Sequence, residues 1–175
     1  MTTVIIAVAI IAVVAGALLV YWWYSRSQTA WLFKGAYATY EGTTTVSFIP
    51  VNMTVREEVV DYNSTHAQVL VFMRMESSLT GPIEQQNTSW IDLRKNEHEI
   101  EGATLTRTYE DHVYIEGLGT RLCTIYEYMD DNSTWTYYID KAIGWPVKLK
   151  LVTTGLGAFS LDLILKETNI PGLKP

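Results

Sequence analysis

The stretch Val147-Lys148-Leu149-Lys150-Leu151 alternates strictly between apolar and basic residues. In an extended chain, successive side chains point to opposite faces, so the three apolar residues share one face. A second stretch, Leu161-Asp162-Leu163-Ile164-Leu165-Lys166, likewise places its three leucines on one face. A period of two is typical of antiparallel strands that have one side on a core and the other in water. These two stretches therefore predict an antiparallel β protein.

The same pattern extends outward over most of the chain from Trp31 onward, where short runs of β-branched and aromatic residues are punctuated by Gly, Asn, Asp and Pro. The loops are predicted at Thr80–Gln86, Asp130–Ser133 and Gly155–Gly157, and Lys95–Glu101 is either a turn or one or two turns of helix. About ten strands with almost no helix predict a β-sandwich or a half-barrel. The candidate strands are Ala36–Glu41, Thr43–Val51, Met53–Tyr62, Ala67–Glu76, Thr88–Arg94, Ala103–Tyr109, His112–Glu116, Arg121–Met129, Thr134–Asp140, Pro146–Thr153 and Phe159–Glu167.

The N-terminus has a different composition from the rest of the chain. Val4–Tyr24 contains neither a charge nor a proline, and as a helix it would be roughly 31 Å long, close to the thickness of the bilayer core. It ends in Tyr21, Trp22, Trp23 and Tyr24, an aromatic belt of the kind found at the membrane interface. The sequence thus predicts a transmembrane anchor over residues 1–24, a linker over 25–30, an antiparallel β domain over 31–168 and a loose tail over 169–175.

Other interpretations of the apolar segment stay open. Ala15-Gly16-Ala17 matches the small-residue pattern of a signal-peptide cleavage site, although no basic residue precedes it. A pilin-like stalk also pairs a long apolar helix with a β-rich head, and a buried core helix is the third alternative. Within the segment, Ala12 and Gly16 form a small-xxx-small pair that would let another helix pack closely.

Charge and cysteine content exclude several classes of partner and site. The chain has 175 residues, 13 basic and 19 acidic, with a net charge of −6. Such an acidic protein is not expected to bind nucleic acid, which requires Lys and Arg to neutralise phosphates. The single cysteine, Cys123, rules out an internal disulfide and a Cys-rich metal site, and its strand-like surroundings predict a buried apolar role.

Four Asn-x-[Ser/Thr] glycosylation sequons indicate that the domain lies on the extracytoplasmic side of the membrane. They begin at Asn52, Asn63, Asn87 and Asn132, and each is expected near a turn or loop that can hold a glycan. Against them, Arg26 and Lys34 weakly favour a cytoplasmic domain by the positive-inside rule. We expect a single-pass protein of the cell membrane whose glycosylated β domain is extracytoplasmic.

Two stretches resemble a known group of proteins. Tyr137–Lys148 matches the aromatic-x-D-x-x-x-G-x-P-V/L-K hairpin of LolA/LppX-type lipoprotein carriers, and a similar hairpin occurs in many archaeal membrane-anchored surface proteins. Gly35–Gly42 and Val59–Thr65 also resemble those archaeal proteins. The resemblance implies a curved antiparallel sheet around an apolar cavity that holds acyl chains. This chain departs from the group because it has no lipobox cysteine and lacks the helices that close such a half-barrel.

No combination of residues in the sequence predicts catalysis, a metal site or a cofactor. His66, His98 and His112 have no ligand spacing, and they are interpreted as solvated residues of loops and strand ends. The neighbouring carboxylates Glu57 and Glu58 are expected to diverge on a strand, as are those of Asp130 and Asp131 on a turn. Core packing explains most of the aromatic residues, with an aromatic-lined groove as the alternative; these residues are Trp31, Trp90, Trp135, Trp145, Tyr126, Tyr128, Tyr137 and Tyr138.

The sequence thus predicts a structural or protein-interaction role in an envelope or membrane assembly, without enzymatic activity. The expected partners are membrane lipid and proteins of the membrane or envelope. A second copy of the same chain is one such protein partner. Two alternatives stay open: a LolA-like carrier or sensor that binds a lipid in an apolar cavity, and a pilin-like filament subunit with its apolar helix in the filament core.

Overall fold

The computed structural model describes residues 30–46, 49–79, 81–93, 102–154 and 158–173. These residues form nine antiparallel strands in a single sheet and contain no helix. The strands are β1 (Tyr37–Val46), β2 (Ile49–Tyr62), β3 (His66–Ser77), β4 (Gly81–Asp92), β5 (Thr104–Ile115), β6 (Gly119–Met129), β7 (Ser133–Asp140), β8 (Pro146–Thr153) and β9 (Ser160–Thr168).

The predicted anchor Val4–Tyr24, with its aromatic belt and the Ala12–Gly16 pair, lies outside the described residues, as does Lys95–Glu101. Among the residues that are described, no helix has the length and apolar character needed to cross a bilayer.

The sheet is assembled from two meanders that meet in its centre. Its strand order is β4-β3-β2-β1-β9-β8-β7-β6-β5, so β1 and β9 join the two halves while β4 and β5 are the edges. The alternation that predicted β8 and β9 is confirmed, because Leu149, Leu151, Leu161, Leu163 and Leu165 are all buried. They belong to one apolar cluster to which every strand contributes.

Contacts between strands that are not neighbours show that the sheet is curved. The indole Nε1 of Trp145, at the turn before β8, donates to the hydroxyl of Tyr40 on β1 at 2.8 Å, although β9 lies between those strands. Lys166 near the end of β9 forms an ion pair with Glu116 at the β5–β6 turn. In a flat sheet, the strands that carry Tyr40 and Trp145 would be about 10 Å apart, and those that carry Lys166 and Glu116 at least about 14 Å apart. The described domain is therefore an open half-barrel and not a sandwich of two sheets.

Several strand boundaries differ from the prediction. The predicted breaks at Gly42, at Asn52 and between Tyr109 and His112 do not exist, because these positions lie inside β1, β2 and β5. The predicted single strand Thr43–Val51 is also wrong, because β1 ends at Val46 and β2 begins at Ile49. The predicted loop at Thr80–Gln86 is also wrong, since β4 begins at Gly81. β4 and β5 are the two edge strands; β5 is largely exposed on both faces, whereas β4 has one exposed face and one that is mostly half-buried. Their sequences are polar enough to imitate loops for that reason.

The turn between β7 and β8 agrees with the prediction. The Asp140 side chain accepts hydrogen bonds from the backbone N–H groups of Ala142 and Ile143, and the Gly144 N–H donates to the Asp140 carbonyl at 2.7 Å. Gly144 has a φ of +70°, a left-handed conformation that glycine adopts without strain. The LolA-type hairpin motif therefore has a structural cause in this turn.

The C-terminal segment is packed, contrary to the prediction of a loose tail. Ile170 and Leu173 are both fully buried. The Asn169 side chain accepts a hydrogen bond from the Tyr37 N–H and donates one to the Gly35 carbonyl, each within 2.8 Å. Residues 169–173 thus close the end of the domain where β1 begins.

Candidate functional site: a buried carboxyl group on the concave face

On the concave face of β2, a single charged residue lies among apolar ones. Met53, Val55, Glu57 and Val59 alternate with exposed or half-buried residues, so all four point toward the core. Glu57 is only 1% exposed, as dry as the apolar residues on either side of it. A carboxyl group is almost never so deeply buried without a partner. Of the two buried acids among the described residues, Asp140 is held by hydrogen bonds in the β7–β8 turn, whereas Glu57 lies among apolar core residues.

Two tyrosine hydroxyls lie within electrostatic reach of this acid, from strands on both sides of the concave face. Tyr40 is on the adjacent strand β1, and Tyr137 is on β7, four strands away in the sheet. Burial raises the pKa of both phenols well above 10, and the proximity of Glu57 raises each of them further. Glu57 is therefore near enough to Tyr137 to affect the pKa of its phenol, although four strand positions separate the two residues in the sheet.

The Glu57 carboxyl has no hydrogen-bond partner among the described residues, at either oxygen. Its burial raises the pKa from 4.5 to about 8, because the charged form loses its hydration. At neutral pH most molecules therefore carry Glu57 as a neutral carboxylic acid. In that form the group offers one O–H donor and free acceptor positions to a molecule that reaches it.

The neighbouring aromatic groups are held rigidly. The Tyr40 hydroxyl donates to the Pro146 carbonyl at 3.0 Å while accepting from Trp145, so its hydrogen-bonding capacity is largely used. Tyr128 packs edge-on against Tyr137 with ring centroids 5.9 Å apart. The interior thus combines apolar walls, fixed aromatic rings and one unsatisfied acid.

The prediction that Glu57 and Glu58 diverge is confirmed. The Glu58 side chain lies on the opposite face, where it pairs with Arg56 at 3.2 Å. Sequence reasoning nevertheless missed the importance of Glu57. The signal was present, because the period of two places Glu57 on the same face as Val55 and Val59.

The four sequon asparagines are exposed, but they do not all lie in turns. Asn63 and Asn132 are in the β2–β3 and β6–β7 turns, whereas Asn52 lies within β2 and Asn87 in the middle of β4. Asn63 uses its Oδ1 atom to accept hydrogen bonds from Thr65 and from the backbone of the next residue. A glycan would be attached to the other atom of that amide, Nδ2.

Asn132 is one of the residues that line a shallow depression beside the β6–β7 turn. This open hollow has a volume of about 600 Å³, and its lining includes Thr104, Asp130 and Asp131. The Asn132 N–H is held by the Asp130 side chain at 2.8 Å.

The remaining candidate residues do not form a site together. His66 contacts the Thr65 hydroxyl at 2.8 Å, His112 lies on the exposed strand β5, and His98 is outside the described residues. In the part of the chain that the structure describes, no cluster of His, Cys, Asp and Glu has the composition of a metal site. Cys123 is buried as predicted, and burial raises its thiol pKa to about 12.

Most of the aromatic residues are core residues, as the sequence predicted. Tyr138 is half-buried and Trp90 is 53% exposed on the edge strand β4. The buried ones are Trp31, Trp135, Trp145, Tyr126, Tyr128 and Tyr137.

Comparison with known proteins identifies no family for this chain. No protein-family model and no curated protein matches it. Among solved structures, a Bacteroides fragilis protein described as exported, with a YmcC-like fold, has a TM-score of 0.44 at 8% identity, covering 78% of this chain and 96% of the other. A Vibrio parahaemolyticus domain described as an outer-membrane lipoprotein-sorting protein has a TM-score of 0.30 at 10% identity, covering 79% and 86%. Likenesses at this level assign neither a ligand nor an activity.

Proposed function

We propose that this protein binds an acyl-chain amphiphile along the concave face of its half-barrel, with the polar group of the ligand at Glu57. The observation that supports this is the unsatisfied carboxyl at the centre of an apolar interior. A buried polar group without a partner costs about 1–3 kcal/mol. Such a cost is expected at a functional site, where a ligand supplies the missing hydrogen bonds.

The walls around Glu57 suit an acyl chain. Met53 on β2 and Met73 and Met75 on β3 line one side of the concave face, and the leucines of β8 and β9 line the other. Unbranched methionine side chains adapt to ligands of irregular shape. Among the described residues, the two edge strands of the sheet, β4 and β5, are not paired with each other. The half-barrel can therefore open at that gap without breaking a ladder between strands.

Photo-crosslinking in native membranes tests this function. A long-chain fatty acid that carries a diazirine group is expected to label peptides from β2 and β3 of the full-length protein, and excess unlabelled fatty acid is expected to suppress the labelling. The Glu57→Leu variant should lower this labelling about tenfold, because it cannot hydrogen-bond to the ligand. Glu58→Gln is the matched control on the opposite face and should leave the labelling unchanged.

Labelling confined to residues 4–24 would show contact with bulk lipid only and would contradict the proposal. So would labelling of β2 that excess fatty acid does not suppress. The Glu57→Leu variant is expected to be at least as stable as the wild type, because it replaces a buried acid by an apolar residue, and its urea midpoint separates loss of binding from loss of folding.

A second candidate function is that of a membrane-anchored, glycosylated surface protein with a structural or protein-interaction role. The exposure of all four sequon asparagines supports it. Peptide mapping of the protein from its native membrane should find glycan at Asn63 and Asn132, with residues 4–24 retained. Asn169 is not part of a sequon and is the internal negative control. Unmodified sequons together with a retained N-terminus would contradict the extracytoplasmic location.

A further inference from the structure

The edge strand β5 is unusually exposed for a strand of its length. It spans Thr104–Ile115 and, among the nine described strands, pairs only with β6. Both of its faces are open to solvent over most of that length, and Tyr114 is 73% exposed. Its other side presents a row of backbone N–H and C=O groups that can pair with another strand. β5 is therefore a surface for strand addition.

The charges of β5 are arranged so that two antiparallel copies of the strand can place opposite charges next to each other. Arg107 and Asp111 lie on the same face, two residues on either side of Tyr109. Neither residue forms an ion pair within the described part of the chain. The Arg107 guanidinium lies 4.3 Å from the centre of the Tyr109 ring, and stacking holds it in place. The opposite edge, β4, has only acidic charges and cannot complement itself in this way.

Symmetry restricts the registers in which two copies of β5 can pair. In an antiparallel pair of identical strands, the two copies are related by a two-fold axis perpendicular to the sheet. This axis keeps each side chain on its own face of the sheet. The residue at the axis therefore lies directly opposite the same residue of the second copy. Centring the axis on Glu110 or on Asp111 would place like charges opposite each other. Centring it on Thr108 would place Arg107 opposite Tyr109, so that no opposite charges face each other. Centring it on Tyr109 places each Arg107 opposite Asp111 of the second copy.

We propose that two copies of this chain pair through β5 in antiparallel orientation about Tyr109, forming one sheet shared by both. Two Arg107–Asp111 pairs flank the axis, and backbone hydrogen bonds join the strands between them. Opposite charges that face each other across antiparallel strands stabilise the pairing, and like charges in the same position oppose it. This association does not depend on the proposed ligand, since the concave face of each copy stays separate.

Charge exchange on the full-length protein in nonionic detergent tests this interface. Sedimentation and light scattering should show a dimer of the wild-type chain. Arg107→Asp and Asp111→Arg, each alone, place like charges together and should raise the dimer dissociation constant at least tenfold. The double variant R107D/D111R restores opposite charges and should restore the dimer. Gln86→Arg on the edge strand β4 is the matched control, and it should leave the wild-type constant unchanged.

A wild-type chain that stays monomeric would overturn the proposal. Dimers that persist in both single variants would assign the association to another surface, such as the Ala12–Gly16 pair, and would also overturn it. Failure of the double variant to restore the dimer would exclude the register centred on Tyr109. Since Arg107 and Asp111 are exposed, the thermal unfolding of each monomer is expected to stay unchanged, and this comparison separates loss of pairing from loss of folding.

Discussion

Raising the pH from 5 to 8 is expected to destabilise the wild-type protein strongly, and the Glu57→Gln variant is expected to lose that response. The folded-state pKa of Glu57 is about 8, above the ordinary value of 4.5. Between these values the folded protein keeps a proton that the unfolded chain releases, so the free energy of unfolding falls as the pH rises. One pH unit corresponds to about 1.4 kcal/mol, so this group accounts for a loss of roughly 5 kcal/mol over the whole window.

Urea unfolding followed by tryptophan fluorescence at several pH values provides the measurement. Wild type and Glu57→Gln should have similar free energies of unfolding at pH 5, and the variant should be more stable by several kcal/mol at pH 8.5. Glu58→Gln is the control, because that side chain is paired with Arg56 on the outer face and should follow the wild-type curve. Parallel pH profiles for wild type and Glu57→Gln would show that Glu57 is ionised in the folded state.

Gly42→Ala is expected to be the most disruptive small substitution in the described sheet. A Cβ atom at this position would lie 2.0 Å from the backbone carbonyl oxygen of Asp162 and 3.1 Å from a methyl group of Leu163. A backbone oxygen cannot rotate away, so β1 and β9 would have to separate. Since that pairing is what joins the two halves of the sheet, we expect a loss above about 3 kcal/mol, beyond ordinary overpacking.

The effect of Gly42→Ala is measured as the shift of the urea midpoint together with hydrogen exchange of the β1 and β9 amides. Exchange should accelerate first in these two strands. Thr45→Ala is the matched control because its side chain is exposed on the same strand, and its effect should stay within about 0.5 kcal/mol. A Gly42→Ala protein within 1 kcal/mol of wild type would show that the two strands can move apart at little cost.

Local patterns were sufficient wherever the environment of a residue is set by its near neighbours in the chain. The alternation around Leu149 and Leu163 predicted both strands and the faces that they bury. Asp140 and Gly144 predicted the turn between them and Pro146 predicted the following strand, because turn chemistry depends on a few consecutive residues. The same reasoning failed on the edge strands, because β5 is exposed on both faces and the half-buried face of β4 carries polar residues such as Gln85 and Ser89, so neither strand shows the alternation that identifies its neighbours.

The amino-acid sequence was therefore enough to establish an antiparallel β domain, the buried state of Cys123 and the divergence of Glu57 from Glu58. The tertiary structure was needed to show one curved sheet instead of two packed ones, with β1 and β9 joined at its centre. It was also needed to show that the carboxyl of Glu57 is dry and lies within reach of Tyr137. The physical reason is that a period of two specifies which face a side chain occupies. Curvature and the local dielectric environment depend on strands that are distant in sequence and close together only in the fold.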